Sequence, residues 1–179
     1  MVISDYPADE VLENIRVNVR VNIDARRERE EEKEKEVEHG KEEEEKEEGK
    51  RIGEIRIQGH EWGVLTDPFS LANKESFDIL LVADCLWMPW QHTNLLHSIR
   101  YFLTSSGRAW VVAGFHTGRE KMRGFYAKAA LEEAGLEIER IWERNAEGVN
   151  REWVEDRGIE DVTERKRWLV IGILKRKGI

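Results

Sequence analysis

Apolar positions recur along the chain in two rhythms, short unbroken runs and helical spacing, and their alternation predicts an α/β domain with a largely parallel sheet. The run Val2-Ile3 stops at Ser4-Asp5-Tyr6-Pro7. Leu12, Ile15, Val19 and Ile23 then fall on one face of a helix, with Pro7 suited to its first turn. Ile55 and Ile57 alternate with Glu54 and Arg56, the pattern of a half-exposed edge strand. Ile79 to Ala83 (ILLVA) shows no alternation, which predicts a strand covered on both faces. A helix around Leu95, Leu96, Ile99 and Phe102 leads through Ser106-Gly107 into a second buried strand, Ala109 to Phe115. Met122, Phe125, Tyr126, Ala129 and Ala130 have the spacing of an amphipathic helix that Gly135 would stop. Leu136 to Trp142 and Trp168 to Leu174 read as closing strands, and the polar stretch of 25 residues between them is either a lid or a surface excursion.

Composition changes this picture at one place. Residues 24 to 51 carry 14 acidic and 9 basic side chains, so this tract holds most of the net charge of -8. Such a segment cannot bury enough surface to offset its ordering entropy and is expected to be a solvated insert, disordered or helical. Acid-before-base pairs such as Glu31/Lys35 and Glu42/Lys46 favour an exposed helix, and Gly40 and Gly49 would interrupt it. Its acidic surface either attracts a basic partner or is a solvated loop. The chain offers phosphates no positive field, which argues against nucleic acid, and its apolar runs are strand-sized, which argues against a membrane span. One cysteine, Cys85, and no signal-like start predict a reducing, cytoplasmic setting.

In a parallel sheet, ligands gather beyond the carboxyl ends of the strands, so the candidate chemistry lies just after each apolar run. Asp5 there either accepts hydrogen bonds from ribose hydroxyls or caps the next helix. Trp62, within Gly59-His60-Glu61-Trp62-Gly63, either lies against a flat purine or fills a corner of the core. Asp84 follows ILLVA directly, with Trp87 and Trp90 behind it. A carboxylate among ring faces suits a cation or a polarised amine, but the same residues could be a helix cap and packing. His60, His92, His97 and His116 lack a zinc spacing. No Gly-x-Ser-x-Gly elbow is present, and Gly114-Phe115-His116-Thr117-Gly118 lacks the ending of a phosphate-binding Walker loop.

Five segments in order carry a resemblance: VISDYPADEVLENIRVNV, GHEWGVLTDPFSL, FDILLVADCLWMPWQHTNLLHSI, GRAWVVAGFHTG and REWVEDRGIEDVTERKRWLVIGILKR. Together they resemble family 16 of the class I S-adenosylmethionine-dependent methyltransferases. The likeness is to the fungal nicotinamide N-methyltransferase-like branch, which includes N-terminal and lysine methyltransferases of translation elongation factor 1-alpha. The resemblance implies a Rossmann-like sheet of order 3-2-1-4-5-7-6 with the seventh strand antiparallel. It implies Asp5 as the ribose-binding acid, Trp62 as a cofactor-lining ring and Ala83 as a backbone contact. Asp84 opens what resembles the family's Asp-x-x-Tyr motif, here Asp84-Cys85-Leu86-Trp87. With Trp87 in place of tyrosine, the ring offers shape and cation–π contact but no lone pair.

The implied cofactor is S-adenosylmethionine and the implied reaction is attack by a neutral amine on the sulfonium methyl, with Asp84 orienting the amine. The implied partner is elongation factor 1-alpha, with nicotinamide a less favoured acceptor. The family's first strand, glycine-rich loop and first helix have no counterpart, so the expected sheet is incomplete. Residues 1–179 would then be the carboxyl-terminal part of a methyltransferase domain, expected to bind cofactor poorly. The alternative is a catalytically inactive fragment acting as an interaction module.

Overall fold

The computed structural model describes residues 1–38 and 54–178. It divides into two compact units, Met1–Glu61 and Trp62–Ile179.

In the first unit, strand β1 (Val2–Asp5) precedes helix α1 (Asp9–Glu38), and strand β2 (Arg56–Gly59) follows. β1 and β2 pair in parallel, with Val2 opposite Arg56 and Asp5 opposite Gly59. The ladder ends where the His60 amide donates to the Asp5 carbonyl at 2.8 Å. A Cβ on Gly59 would stand 2.6 Å from Pro7 Cβ, so only glycine lets the chain pass there. Leu12, Ile15, Val19 and Ile23 are half-buried, as their spacing predicts, whereas Val17 and Val21 are exposed. Asp9 and Glu10 in the first turn complement the helix dipole. The charged tract is helical from Asp24 to Glu38, because Glu, Lys and Arg are good helix formers. Its remainder, including Gly40, Glu42, Lys46 and Gly49, lies outside the described residues.

The second unit holds helix α2 (Pro68–Ala72), strand β3 (Phe77–Ala83), helix α3 (His92–Phe102), strand β4 (Leu103–Gly114), helices α4 (Arg119–Arg123) and α5 (Lys128–Glu133), strands β5 (Leu136–Asn145) and β6 (Asn150–Glu152), helix α6 (Val162–Arg165) and strand β7 (Trp168–Arg176). Its five-stranded sheet has the order β3-β4-β7-β5-β6. β3 and β4 are parallel, while β7 runs antiparallel to both β4 and β5. One face carries Ala109, Val111, Ala113, Val170 and Leu174, which pack with Leu95, Leu96 and Ile99 of α3 and with Met122, Phe125 and Leu131. Burying these side chains in a dry interior is what holds the unit together.

The sheet corrects one expectation. ILLVA is not covered on both faces: Leu80 and Val82 pack against the core, but Ile79 and Leu81 are 66% and 77% exposed. Ile79 and Leu81 alternate with Leu80 and Val82 along β3 and so point to the sheet face opposite the core cluster. Across the register its open face continues through Trp110, opposite Leu81, which is also partly exposed. Apolar runs therefore report strand character here without reporting coverage.

The expected helix over Met122 to Ala130 is two short helices, α4 and α5, separated by a turn at Gly124–Ala127. The turn lets Phe125 and Tyr126 both reach the core, which a continuous helix would splay apart. Gly135 ends α5 with φ +71°, the left-handed conformation that suits glycine. The polar stretch before β7 contains β6, which pairs with β5, and α6, capped by Asp161 on the amides of Thr163 and Glu164. Among the described residues no helix is long and apolar enough to cross a membrane.

Candidate functional site

Among the described residues two without a glycine's freedom take positive φ, Glu75 at +50° and Asp84 at the end of β3. Asp84 has φ +52°, a left-handed conformation that costs a non-glycine residue on the order of 1 kcal/mol. Two bonds hold it there. Its amide donates to the Val112 carbonyl at 2.7 Å, extending the β3–β4 ladder, and its Oδ1 accepts from the Gly114 amide at 3.3 Å. Asp84 therefore caps no helix; its carboxylate ties together the carboxyl ends of two parallel strands and remains exposed.

Behind it the loop is anchored by Leu86, which is fully buried. His92 fixes the loop further, its Nε2 donating to the Leu86 carbonyl at 3.0 Å and its ring meeting Phe125 edge-on. Burial holds the His92 imidazole below its ordinary value, partly opposed by that bond, so it is neutral with Nδ1 as an acceptor. With Leu86 and His92 inward, Trp87 and Trp90 are left 51% and 72% exposed. Large exposed rings next to an exposed carboxylate are a surface suited to an alkylammonium group.

The end of β4 faces the same carboxylate. Phe115 is buried and stacks on Trp153, and the turn Phe115–Thr117 closes through Gly118 N to Phe115 O at 3.2 Å. Next to it the exposed His116 ring folds back, so that a Cβ on Gly114 would stand 2.5 Å from His116 Nε2. Gly114 thus gives its amide to Asp84 and its open side to His116. Sequence patterning did not single out this pairing; a glycine closing a strand two positions before a histidine was its only signal.

Of the cofactor-binding candidates, Asp5 ends β1 in the first unit, its Oδ1 accepting from the Tyr6 amide at 2.7 Å. It does not cap α1, which begins at Asp9, and its second oxygen is left for a hydroxyl donor. In the second unit Trp62 is half-buried against the core, beside Gly63, whose amide donates to Ser98 Oγ at 2.9 Å. Ala83 is exposed at the open end of β3, directly before Asp84. The structure thus joins Ala83, Asp84 and Trp87 on one loop, while Trp62 docks on α3.

Taken one by one, the residue types suit parts of a nucleoside: the Asp5 carboxylate a diol, the Trp62 indole a flat base, and the Ala83 backbone a polar edge. Two open grooves lie among the described residues. One, of about 570 Å³, lies between Pro89, His92 and Thr93 and the Lys121–Gly124 segment; the other, of about 380 Å³, lies between α1 and Ile57. Neither is lined by Asp5, Trp62, Ala83, Asp84 or Trp87. Among the described residues no group of three or more His, Cys, Asp or Glu could hold a metal ion.

Comparison with known proteins agrees on architecture. No family model matches the chain, and no curated protein matches it. The structure of LepI in complex with SAM superposes with a TM-score of 0.50 at 10% identity, covering 99% of this chain and 36% of that one. The fold is Rossmann-like. A TehB-like SAM-dependent methyltransferase from Corynebacterium glutamicum superposes with a TM-score of 0.40 at 17% identity, covering 69% of this chain and 57% of that one. A putative methyltransferase from Haloferax volcanii in complex with the activator Trm112 gives a TM-score of 0.42 at 12% identity, covering 70% and 62%. The chain spans between 36% and 62% of the length of these structures.

Proposed function

We propose that the chain is an S-adenosylmethionine-dependent N-methyltransferase acting on a protein amine, an N-terminal amino group or a lysine of translation elongation factor 1-alpha. The observation that carries the reading is Asp84, held in a strained conformation at the shared end of β3 and β4 with Trp87 and Trp90 exposed beside it. Strain at a strand end that a network over-determines is a mark of functional positioning. The likeness of Asp84-Cys85-Leu86-Trp87 to the family's acceptor motif supports the protein substrate. The exposure of both tryptophans supports it too, since nicotinamide would want a closed aromatic pocket.

When bound, S-adenosylmethionine would supply an activated methyl group. Asp5 would accept from its ribose hydroxyls, Trp62 would lie against the base and Ala83 would contact it through the backbone. Asp84 would hold the acceptor nitrogen by hydrogen bond and stabilise its positive charge, and Trp87 would offer a ring face to its alkyl arm. Calorimetric titration with S-adenosylmethionine tests the reading: it expects binding that Asp5→Ala weakens by roughly 1 to 3 kcal/mol, the range for a charge-assisted bond.

A second reading, an inactive fragment serving as an interaction module, is favoured by the bare edge of β3 with Ile79 and Leu81 exposed. It expects no heat in the same titration.

A further inference from the structure

We propose that His116 is the base that takes the proton from the acceptor amine, an inference that rests on the methyltransferase reading above. At neutral pH an alkyl amine is an ammonium ion without a nucleophilic lone pair, so a proton must leave before nitrogen can attack. Asp84 is suited to holding the ammonium by charge, and as a proton acceptor a carboxylate is weaker than a neutral imidazole by roughly 2 to 3 pH units. Imidazole exchanges protons near neutrality.

Geometry places the imidazole where this is needed. The ring of His116 lies over Gly114 on the side where a Cβ would stand, 2.5 Å from Nε2, and the amide of that same glycine donates to Asp84 Oδ1. Both groups therefore converge on one residue at the ends of β3 and β4. The turn that carries His116 is fixed on each side: Phe115 is buried, Arg119 lies 4.2 Å over its ring, and Arg165 Nε donates to its carbonyl at 3.1 Å. Charged side chains contacting the turn or Gly114 are thus Asp84, Arg119 and Arg165. Apart from its contact with Gly114 the imidazole is exposed, and Phe115 is the ring of this turn that fills the core.

The step balances simply. The proton passes from the acceptor ammonium to His116 Nε2, giving imidazolium and a neutral amine. The freed lone pair forms the nitrogen–carbon bond to the methyl of a sulfonium donor, and the carbon–sulfur pair stays on sulfur. Imidazolium then returns its proton to solvent.

The test combines a pH–rate profile with histidine nuclear magnetic resonance on the full chain. With a lysine peptide as acceptor, His116→Gln is expected to lower kcat at least tenfold near pH 7, with the deficit closing as pH approaches that of free amine and with added imidazole restoring rate. A His116→Gln enzyme with the wild-type profile overturns the proposal and leaves the methyltransferase reading standing. A wild type that transfers no methyl at all overturns the methyltransferase reading and this proposal with it. The His116 ring signals should move on titration with Nα-acetyl-lysine methylamide and stay still in Asp84→Ala; no movement in the wild type overturns the proposal.

Discussion

Arg119 and Glu143 meet fork to fork inside the second unit, Nη1 to Oε1 at 2.6 Å and Nη2 to Oε2 at 3.2 Å, with side chains 5% and 0% exposed. Arg119 opens α4 directly after the turn that carries His116, while Glu143 lies near the end of β5. The pair is not alone: Glu160 accepts from Arg119, and Arg151 and Arg157 donate to Glu143. It joins the β4 turn, β5 and the excursion before β7 into one charged network. Glu143→Gln leaves Glu160 as the carboxylate paired with Arg119 and removes the one that Arg151 and Arg157 donate to, and a cost of about 3 kcal/mol is expected. Urea denaturation reads it; a loss below 1 kcal/mol would mean the network is solvated.

Tyr126 lies against Gly172 of β7, where a Cβ would stand 2.7 Å from its ring. Its hydroxyl is buried and has no hydrogen-bond partner among the described residues, and burial pushes the phenol far above its ordinary value. Removing an unpaired buried hydroxyl relieves desolvation, so Tyr126→Phe is expected to stabilise the chain by about 1 kcal/mol. A destabilised Tyr126→Phe protein in the same urea assay would show that the hydroxyl has a partner.

Asp84 separates stability from activity. Glycine adopts φ +52° without steric cost, which offsets the lost bond to the Gly114 amide, so Asp84→Gly should change stability by less than about 1 kcal/mol while abolishing methyl transfer. Thermal melting and a transfer assay on one preparation check both halves; retained activity in Asp84→Gly removes the carboxylate from the reaction.

Acid should weaken the fold in two stages. Burial keeps the folded value of His92 below its ordinary 6.5, so between the two values the unfolded chain binds more protons and stability falls as pH drops below 6.5. At lower pH, the hydrogen bond from Arg119 holds the Glu160 carboxyl below its ordinary 4.5, and its contribution, present above 4.5, is lost as pH falls through the folded value. Melting temperatures measured from pH 8 to 3 should show both stages, and His92→Gln, which can still donate to Leu86, should lack the first. A first stage unchanged in His92→Gln assigns it to another group.

Much of the scaffold was legible because local spacing determined it. Leu12, Ile15, Val19 and Ile23 share one half-buried helix face, and Gly135 stops α5 where the apolar period ends. Coverage was not legible: Ile79 and Leu81 read as buried because a run reports the strand and not what packs on each face, and the core meets only the Leu80 and Val82 face of β3. The site was legible in part for the same reason. Asp84 and Trp87 announced themselves as an acid and a ring after an apolar run, whereas the convergence of Asp84 and His116 on Gly114 depends on β3 pairing with β4 across 30 residues. Charge pairs such as Arg119–Glu143 were hidden among many exposed Arg and Glu that look identical in sequence.

The most direct measurement is transfer of isotopically labelled methyl from S-adenosylmethionine to purified elongation factor 1-alpha, read by mass spectrometry of its amino terminus and lysines. The account predicts label on an amine with the wild-type chain and none with Asp84→Ala. Label that persists in Asp84→Ala, or none with the wild type, would contradict it.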